Sequence, residues 1–229
     1  MKFRDWNSLP RFMQCDEVKP YYDLLQRKRL SLALKRVFDL AAASVLLVIC
    51  AIPMLIIALM IKADSKGPVF FRQERVTAYG RIFNIHKFRT MVDDADRKGS
   101  AVTVQGDTRI TKVGALLRKR RLDELPQLLD VLRGDMSFVG TRPESVRFVK
   151  QYKPVYYATL LMPAGITSET SIRFKDEETL LEGADDPDRV YVRQILPLKM
   201  KWNLYSLKRF SLLRDIQTML KTVSAVFGS

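Results

Sequence analysis

From Leu40 to Ile61 no residue carries a charge, an uninterrupted run of 22 residues. As a straight helix this extends roughly 33 Å, at about 1.5 Å per residue, which is enough to cross a bilayer core. A buried core helix is the alternative, although uncharged runs beyond about 18 residues are uncommon in soluble folds. Pro53 stands mid-run; it has no N–H to donate and its ring crowds the carbonyl of Ile49, so a kink or break is predicted there. Arg27, Lys28, Arg29, Lys35 and Arg36 precede the run, and Lys62 and Lys66 follow it. Cations favour the cytoplasmic side, so two positive flanks favour a helix–break–helix that enters and leaves by one face over a crossing helix.

The pattern then shortens. Gly67-Pro68 marks a turn, Val69–Phe71 a strand, Tyr79-Gly80 a second turn and Ile82–Phe88 another strand, which together predict a hairpin. Residues 92–108 read as a short helix and a loop. Thr111–Arg121 reads as a basic helix. Leu122, Leu125, Leu128, Leu129 and Leu132 then recur at helical spacing, with Gly134 as a natural stop. Residues 135–143 read as a loop. Ser145–Leu161 reads as a helix interrupted near Pro154, and Pro163-Ala164-Gly165 as a turn. An acidic stretch over 175–188 leads into a helix through Arg189. Leu198–Val226 reads as one long helix. Ahead of the apolar run, Trp6, Leu9, Phe12 and Met13 lie at near-helical spacing, interrupted by Pro10 and Pro20. This fits a surface arm at the lipid headgroup level, or a poorly ordered tail.

Charge narrows the class. Lys and Arg total 39 against 25 Asp and Glu, a net charge of +14, which favours nucleic acid, anionic lipid or phosphorylated ligands. Aromatics are not interleaved with the cations as stacking platforms, which counts against nucleic acid. Cys15 and Cys50 form no metal pattern, and a reduced, cytoplasm-facing protein is expected. The polar start and the late apolar run do not have the form of a cleaved leader.

The densest chemistry lies at Arg118-Lys119-Arg120-Arg121-Leu122-Asp123-Glu124-Leu125-Pro126-Gln127. Pro126 is tolerated only in a first helical turn, so the Leu-rich helix is predicted to start near Leu122 or Asp123. Both carboxylates would then sit at a helix N-terminus, where free N–H groups and the dipole favour negative charge. Plain capping explains an Asp and a Glu there equally simply. Lys87, Arg89, Arg109, Arg118 and Arg142 are candidate phosphate ligands, since Arg neutralises phosphate bidentately. Each taken singly also reads as a solvated surface charge. His86, the only histidine, is given no catalytic role.

Lys87–Met91 (KFRTM), Asp107–Gly114 (DTRITKVG), Leu122–Gly140 (LDELPQLLDVLRGDMSFVG) and Arg142-Pro143 resemble the bacterial sugar transferase family, the monotopic phosphoglycosyl transferases. The similarity runs from Lys35 to Thr222. An α+β, mostly helical protein in three parts is expected: the surface arm (1–35) and, as the resemblance implies, a re-entrant membrane helix (36–64) and a small cytoplasmic α/β catalytic domain (65–229). It implies Mg²⁺, with Asp123 and Glu124 as its ligands. It implies transfer of a sugar-1-phosphate from a UDP-sugar to a polyprenol phosphate at the cytoplasmic face of the bacterial inner membrane. In that scheme the Asp matched by Asp123 attacks the β-phosphorus, UMP leaves, and the carrier takes the sugar phosphate from the aspartyl intermediate. Glu124 would support metal binding or proton transfer; Lys87, Arg118 and Arg142 would bind phosphate. Inner-membrane lipid is an expected partner, nucleic acid is not, and a homodimer is left open. A non-catalytic basic protein binding membranes or nucleic acid is the competing reading. The chain departs from the family pattern at Thr141, where Gly-Pro-Arg-Pro is usual, at Arg121, where Ser or Thr is common, at Ile52-Pro53, where Ser-Pro is common, and over residues 163–171. The last of these puts the sugar, not the reaction class, in question.

Overall fold

A computed structural model describes residues 3–93, 107–175, 177–181, 184 and 186–227. Most of the short helix and loop expected over 92–108 lies outside the described residues, as does part of the acidic stretch 175–188. In chain order the elements are α1 (Lys19–Arg27), α2 (Arg29–Asp64), β1 (Phe70–Val76), β2 (Ile82–Phe88), α3 (Lys112–Lys119), α4 (Gln127–Arg133), β3 (Met136–Val139), α5 (Val146–Val149), β4 (Ala164–Thr167), α6 (Glu169–Arg173), α7 (Pro187–Val190), α8 (Leu196–Lys208) and α9 (Leu212–Phe227). The α+β, mostly helical expectation holds.

The apolar run forms the middle of α2, a single helix of 36 residues with Pro53 inside it. Of the kink or break predicted there, the break is corrected: the helix continues on both sides of the proline. Proline removes one N–H donor, and packing on either side of it holds the two arms in one element. On the N-terminal side Ala43 packs with Phe83, Ile85, Leu128 and Phe138; on the C-terminal side Ile57 and Ile61 pack with Phe88 and Leu117. The opposite face is bare. Val48 is 79% exposed and Ile52 71%, with Val45, Ile49, Leu55, Ile56 and Leu59 exposed beside them. Only 11% of the most apolar window is buried, so α2 is not the core helix of a soluble fold.

Polar bonds tie both ends of α2 to the same body. Arg36 Nη1 and Nη2 donate to the carbonyls of Val131 (2.6 Å) and Leu132 (3.0 Å) at the C-terminal turn of α4. Lys35 Nζ lies 2.6 Å from Asp215 of α9, and Ser137 Oγ of β3 donates to Asp39 (2.7 Å). At the far end Asp64 accepts from Val113 N in the first turn of α3 (3.0 Å).

The predicted hairpin is present, with the first strand longer than expected: Phe70 faces Phe88 and Val76 faces Ile82 in an antiparallel ladder. Its reversal uses Tyr79 (φ 60°) and Gly80 (φ 73°). Tyr79 is held in the left-handed region by burial and by the N–H of Arg4, which donates to its hydroxyl (3.3 Å). A second sheet corrects the reading of 135–143 as loop and 163–165 as turn. There β3 and β4 pair in parallel, Met136 with Ala164 and Val139 with Thr167. Two four-residue strands are too short to show a period, and their pairing is made by distant chain. The sheet brings Gly140 and Gly165 together so closely that a β-carbon on Gly165 would lie 2.2 Å from Gly140 N. Gly165→Ala is therefore expected to destabilise the fold by about 3 kcal/mol, as overpacking against backbone does. A urea midpoint equal to that of the parent would contradict this close approach.

Two further expectations are corrected. Residues 3–27 are not a loose surface layer: Met13, Val18 and Leu25 are fully buried in a core shared with Val76, Tyr79, Ala158, Leu161 and Phe210. The long C-terminal helix is two helices, broken at 209–211 where Phe210 turns into that core and its carbonyl accepts from Lys28 Nζ (2.6 Å).

Candidate active site

Arg121 ends the α3 segment in the left-handed region (φ 53°), a conformation costly for a residue with a side chain. The chain then starts afresh as a 3-10 turn, Leu122–Glu124. This corrects the expected helix start: α4 begins only at Gln127, and the carboxylates belong to the turn ahead of it. Leu125 and Pro126 keep right-handed helical geometry, so Pro126 stands ahead of α4, where its missing N–H breaks no ladder. Leu122 and Leu125 pack against the cluster containing Ile57, Ile61, Phe88 and Leu117, which seats the turn beside the end of the apolar helix.

Asp123 and Glu124 are both buried, 8% and 7% exposed, and their surroundings differ. Glu124 is fully engaged. Arg142 Nη1 donates to Oε2 (3.1 Å), Arg142 Nη2 pairs with Oε1, and Lys87 Nζ donates to Oε1 (3.1 Å). Burial raises the Glu124 pKa, but Arg142 and Lys87 outweigh it and hold the carboxyl far below the usual range. Asp123 Oδ1 is buried and has no hydrogen-bond partner among the described residues. Burial pushes the Asp123 pKa up; Lys87 opposes this and the Glu124 charge adds to it. Two adjacent carboxylates thus differ in role. One is a fixed anion that locks two cations; the other is a poorly solvated base with a free oxygen.

Lys87 and Arg142 thus converge on the pair, as the sequence suggested. Burial lowers the Lys87 pKa, with Glu124 pulling the other way. The bonds made by Arg89 and Arg109 go to other partners. Arg89 is buried, its Nη2 donating to Ser65 O (2.7 Å) and Oγ (2.9 Å), and its Nε and Nη1 have no partner among the described residues. Arg109 grips Asp107 through Nε (2.9 Å) and Nη2 (2.5 Å). These bonds lower the Asp107 pKa, and Arg118 adds its charge to the same carboxylate. His86 is structural: its Nδ1 lies 2.6 Å from Asp130 Oδ1 and its backbone N–H donates to Oδ2 (2.9 Å), joining β2 to α4.

Two cations were missed by the sequence reading. Arg121 lowers the pKa of both Asp123 and Glu124. Arg75 feels the charges of Glu144, Arg142 and Glu124, and its Nη1 donates to Pro143 O (3.4 Å). In the hairpin register Phe71 faces Lys87 and Arg75 faces Phe83, so Arg75 and Lys87 share one face. Only that register could have singled Arg75 out.

The site is therefore a buried carboxylate pair under the charges of Arg75, Lys87, Arg121 and Arg142, beside a helix with an exposed apolar face. It suits a phosphorylated substrate whose charge the cations balance. Among the described residues no three His, Cys, Asp or Glu side chains gather as a metal site.

A family model described as bacterial sugar transferase matches residues 30–229. The chain is 36% identical over 195 residues to UDP-glucose:undecaprenyl-phosphate glucose-1-phosphate transferase of Caulobacter vibrioides, covering 84% of this chain and 69% of that protein. It is 35% identical over 201 residues to the exopolysaccharide production protein PSS of Rhizobium leguminosarum, covering 85% and 95%. It is 35% identical over 196 residues to UDP-N-acetylgalactosamine-undecaprenyl-phosphate N-acetylgalactosaminephosphotransferase of Aeromonas hydrophila, covering 84% of this chain but only 43% of that longer protein. The resemblance carried by LDELPQ and its flanking motifs thus extends over nearly the whole chain, which belongs to the bacterial sugar transferase family.

Proposed function

We propose that this protein is a phosphoglycosyl transferase that moves a sugar-1-phosphate from a UDP-sugar to a polyprenol phosphate at the cytoplasmic face of the bacterial inner membrane. The observation that carries the reading is the division of labour in the carboxylate pair. Glu124 is saturated by Arg142 and Lys87, while Asp123 keeps an unpartnered oxygen. In the first step an Asp123 carboxylate oxygen bonds to the β-phosphorus. The bond from that phosphorus to the bridging oxygen breaks, and UMP leaves with the electron pair. In the second step an oxygen of the carrier's phosphate bonds to the same phosphorus. The phosphorus–aspartyl bond breaks and the carboxylate is restored. Covalent catalysis divides one displacement into two easier ones. Arg142, Lys87 and Arg75 bind the diphosphate and balance the charge developing on it.

The donor set fits Mg²⁺ in the form usual for that ion, one or two carboxylates completed by substrate phosphate oxygens. Asp123 offers a free buried oxygen, and Glu124 would share an oxygen now held by Lys87 or Arg142. When bound, the ion adds positive charge at the transferred phosphoryl group.

The membrane seat is monotopic in this reading. What supports it is that both ends of α2 bond to one globular body, through Arg36 and through Asp64, a poor match for a helix with its ends on opposite sides of a bilayer. A cysteine introduced as Lys66→Cys and a tag at Met1 are both expected to stay unlabelled by impermeant reagents in intact cells and to label after permeabilisation. Labelling of either one from outside would overturn the topology.

The direct test of function is incubation with polyprenol phosphate, Mg²⁺ and a panel of UDP-sugars. The expected result is UMP release with one or more donors and, without the carrier, a phosphosugar bound covalently to Asp123. An adduct on another residue would refute the assignment. The competing basic-binder reading is not favoured, because the cations close on a buried carboxylate pair rather than lying open to a polyanion.

A further inference from the structure

A second buried ionic group lies behind the site. Glu144, Tyr191 and Lys199 are 7%, 3% and 7% exposed. The Tyr191 hydroxyl donates to Glu144 Oε1 (2.6 Å) and accepts from Lys199 Nζ (2.8 Å), and Lys199 Nζ lies 3.5 Å from the same Glu144 oxygen. Two distant segments meet here: the loop after β3, and a continuous helical stretch in which a π-helical turn over Tyr191–Ile195 runs straight into α8. A π turn inserts one residue into a helix and re-aims the side chains around it, which is why such turns gather at functional positions. Phe148 packs on the Tyr191 ring at 4.7 Å and fixes its plane.

The group is joined to the reacting centre through Arg75. Val76 N donates to Glu144 O (3.0 Å), clamping β1 to the loop, while Arg75 Nη1 reaches Pro143 O (3.4 Å). Arg75 is thus bonded to the residue before Glu144 and, through Nη2, to Gln73, and the charges of Glu144, Arg142 and Glu124 all act on it. A buried ionic cluster is a weak source of net stability, since apolar packing of like volume serves as well. What such a cluster does well is fix one geometry for a charged neighbour.

We infer that Glu144, Tyr191 and Lys199 are positioning residues that aim the Arg75 guanidinium at the diphosphate of the donor. The inference rests on the transferase reading for the identity of that ligand, and it deepens that reading. Its test uses the full-length protein in detergent and the affinity for inorganic pyrophosphate, which does not depend on turnover, alongside UMP release. Tyr191→Phe keeps the ring and removes the hydroxyl. It is expected to weaken pyrophosphate binding about tenfold, the scale of a hydrogen bond to a charged group. Arg75→Lys is expected to weaken binding at least as much, because a point charge replaces the fork. The double variant is expected to be no weaker than Arg75→Lys alone, since both changes act through one guanidinium. Lys199→Met serves where Tyr191→Phe does not fold. Pyrophosphate affinity unchanged in Tyr191→Phe, or losses that multiply in the double variant, would overturn the network. Absence of UMP release from the parent protein, with the binding pattern as expected, would refute the transferase reading and leave the network standing.

Discussion

Asp123→Asn is expected to reduce UMP release by about 10⁴-fold or more, the scale seen when a covalent nucleophile is removed, while donor binding persists. The same change is expected to leave the fold as stable as the parent at neutral pH, or more stable. Burial raises the Asp123 pKa in the folded protein, so the folded state holds this proton more tightly than the unfolded state does. The sign follows: as pH rises from the unfolded value, about 3.9, through the raised folded value, stability is lost, and an ionised Asp123 is a net cost at pH 7. The neutral amide removes that cost and can use the unpartnered position at Oδ1. Thermal unfolding of parent and variant from about pH 4 to about pH 8 checks it. A variant that loses activity because it is less stable at neutral pH would contradict the placement of a strained, functional carboxylate here.

Arg142→Met is expected to cost both activity and stability, the opposite signature. Arg142 supplies two of the three bonds that hold Glu124. Without it, Lys87 is the one remaining hydrogen-bond partner of this buried carboxylate among the described residues. Removing one partner of a buried ion pair typically costs 3–5 kcal/mol; the Arg142 side chain is 30% exposed, so about 2 kcal/mol is expected here. Loss of a cation at the transferring phosphoryl group is expected to lower kcat/KM by about 10²- to 10³-fold. The pH dependence runs opposite to that of Asp123. The Glu124 pKa is depressed in the fold, so its contribution is present above the unfolded value, about 4.3, and fades as pH falls through the folded value. In Arg142→Met that depression shrinks and acid unfolding moves to higher pH. An unchanged acid midpoint would mean that Arg142 does not set the state of Glu124.

Legible from the residues alone was whatever rests on near neighbours in the chain. The apolar run, the hairpin, the Gly134 stop and the adjacent Asp123 and Glu124 are written in periods of two and 3.6 and in residues with narrow backbone preferences. Lys87 and Arg142 were legible as candidates because the KFRTM and Arg-Pro motifs flank the carboxylates in a known family pattern. Tertiary structure decided everything made by distant contact. Met136–Val139 is a strand only because Ala164–Thr167 lies beside it. Arg75 belongs to the site only because the hairpin register and the Val76–Glu144 bond carry it there. Pro53 sits within one helix because Ala43 and Ile57 pack on the same body from either side of it. Arg109, alike in sequence to the cations that converge, instead grips Asp107. Local propensity is an energy of neighbours along the chain, whereas burial and ion pairing are energies of neighbours in space, and a cation's partner is fixed by the second.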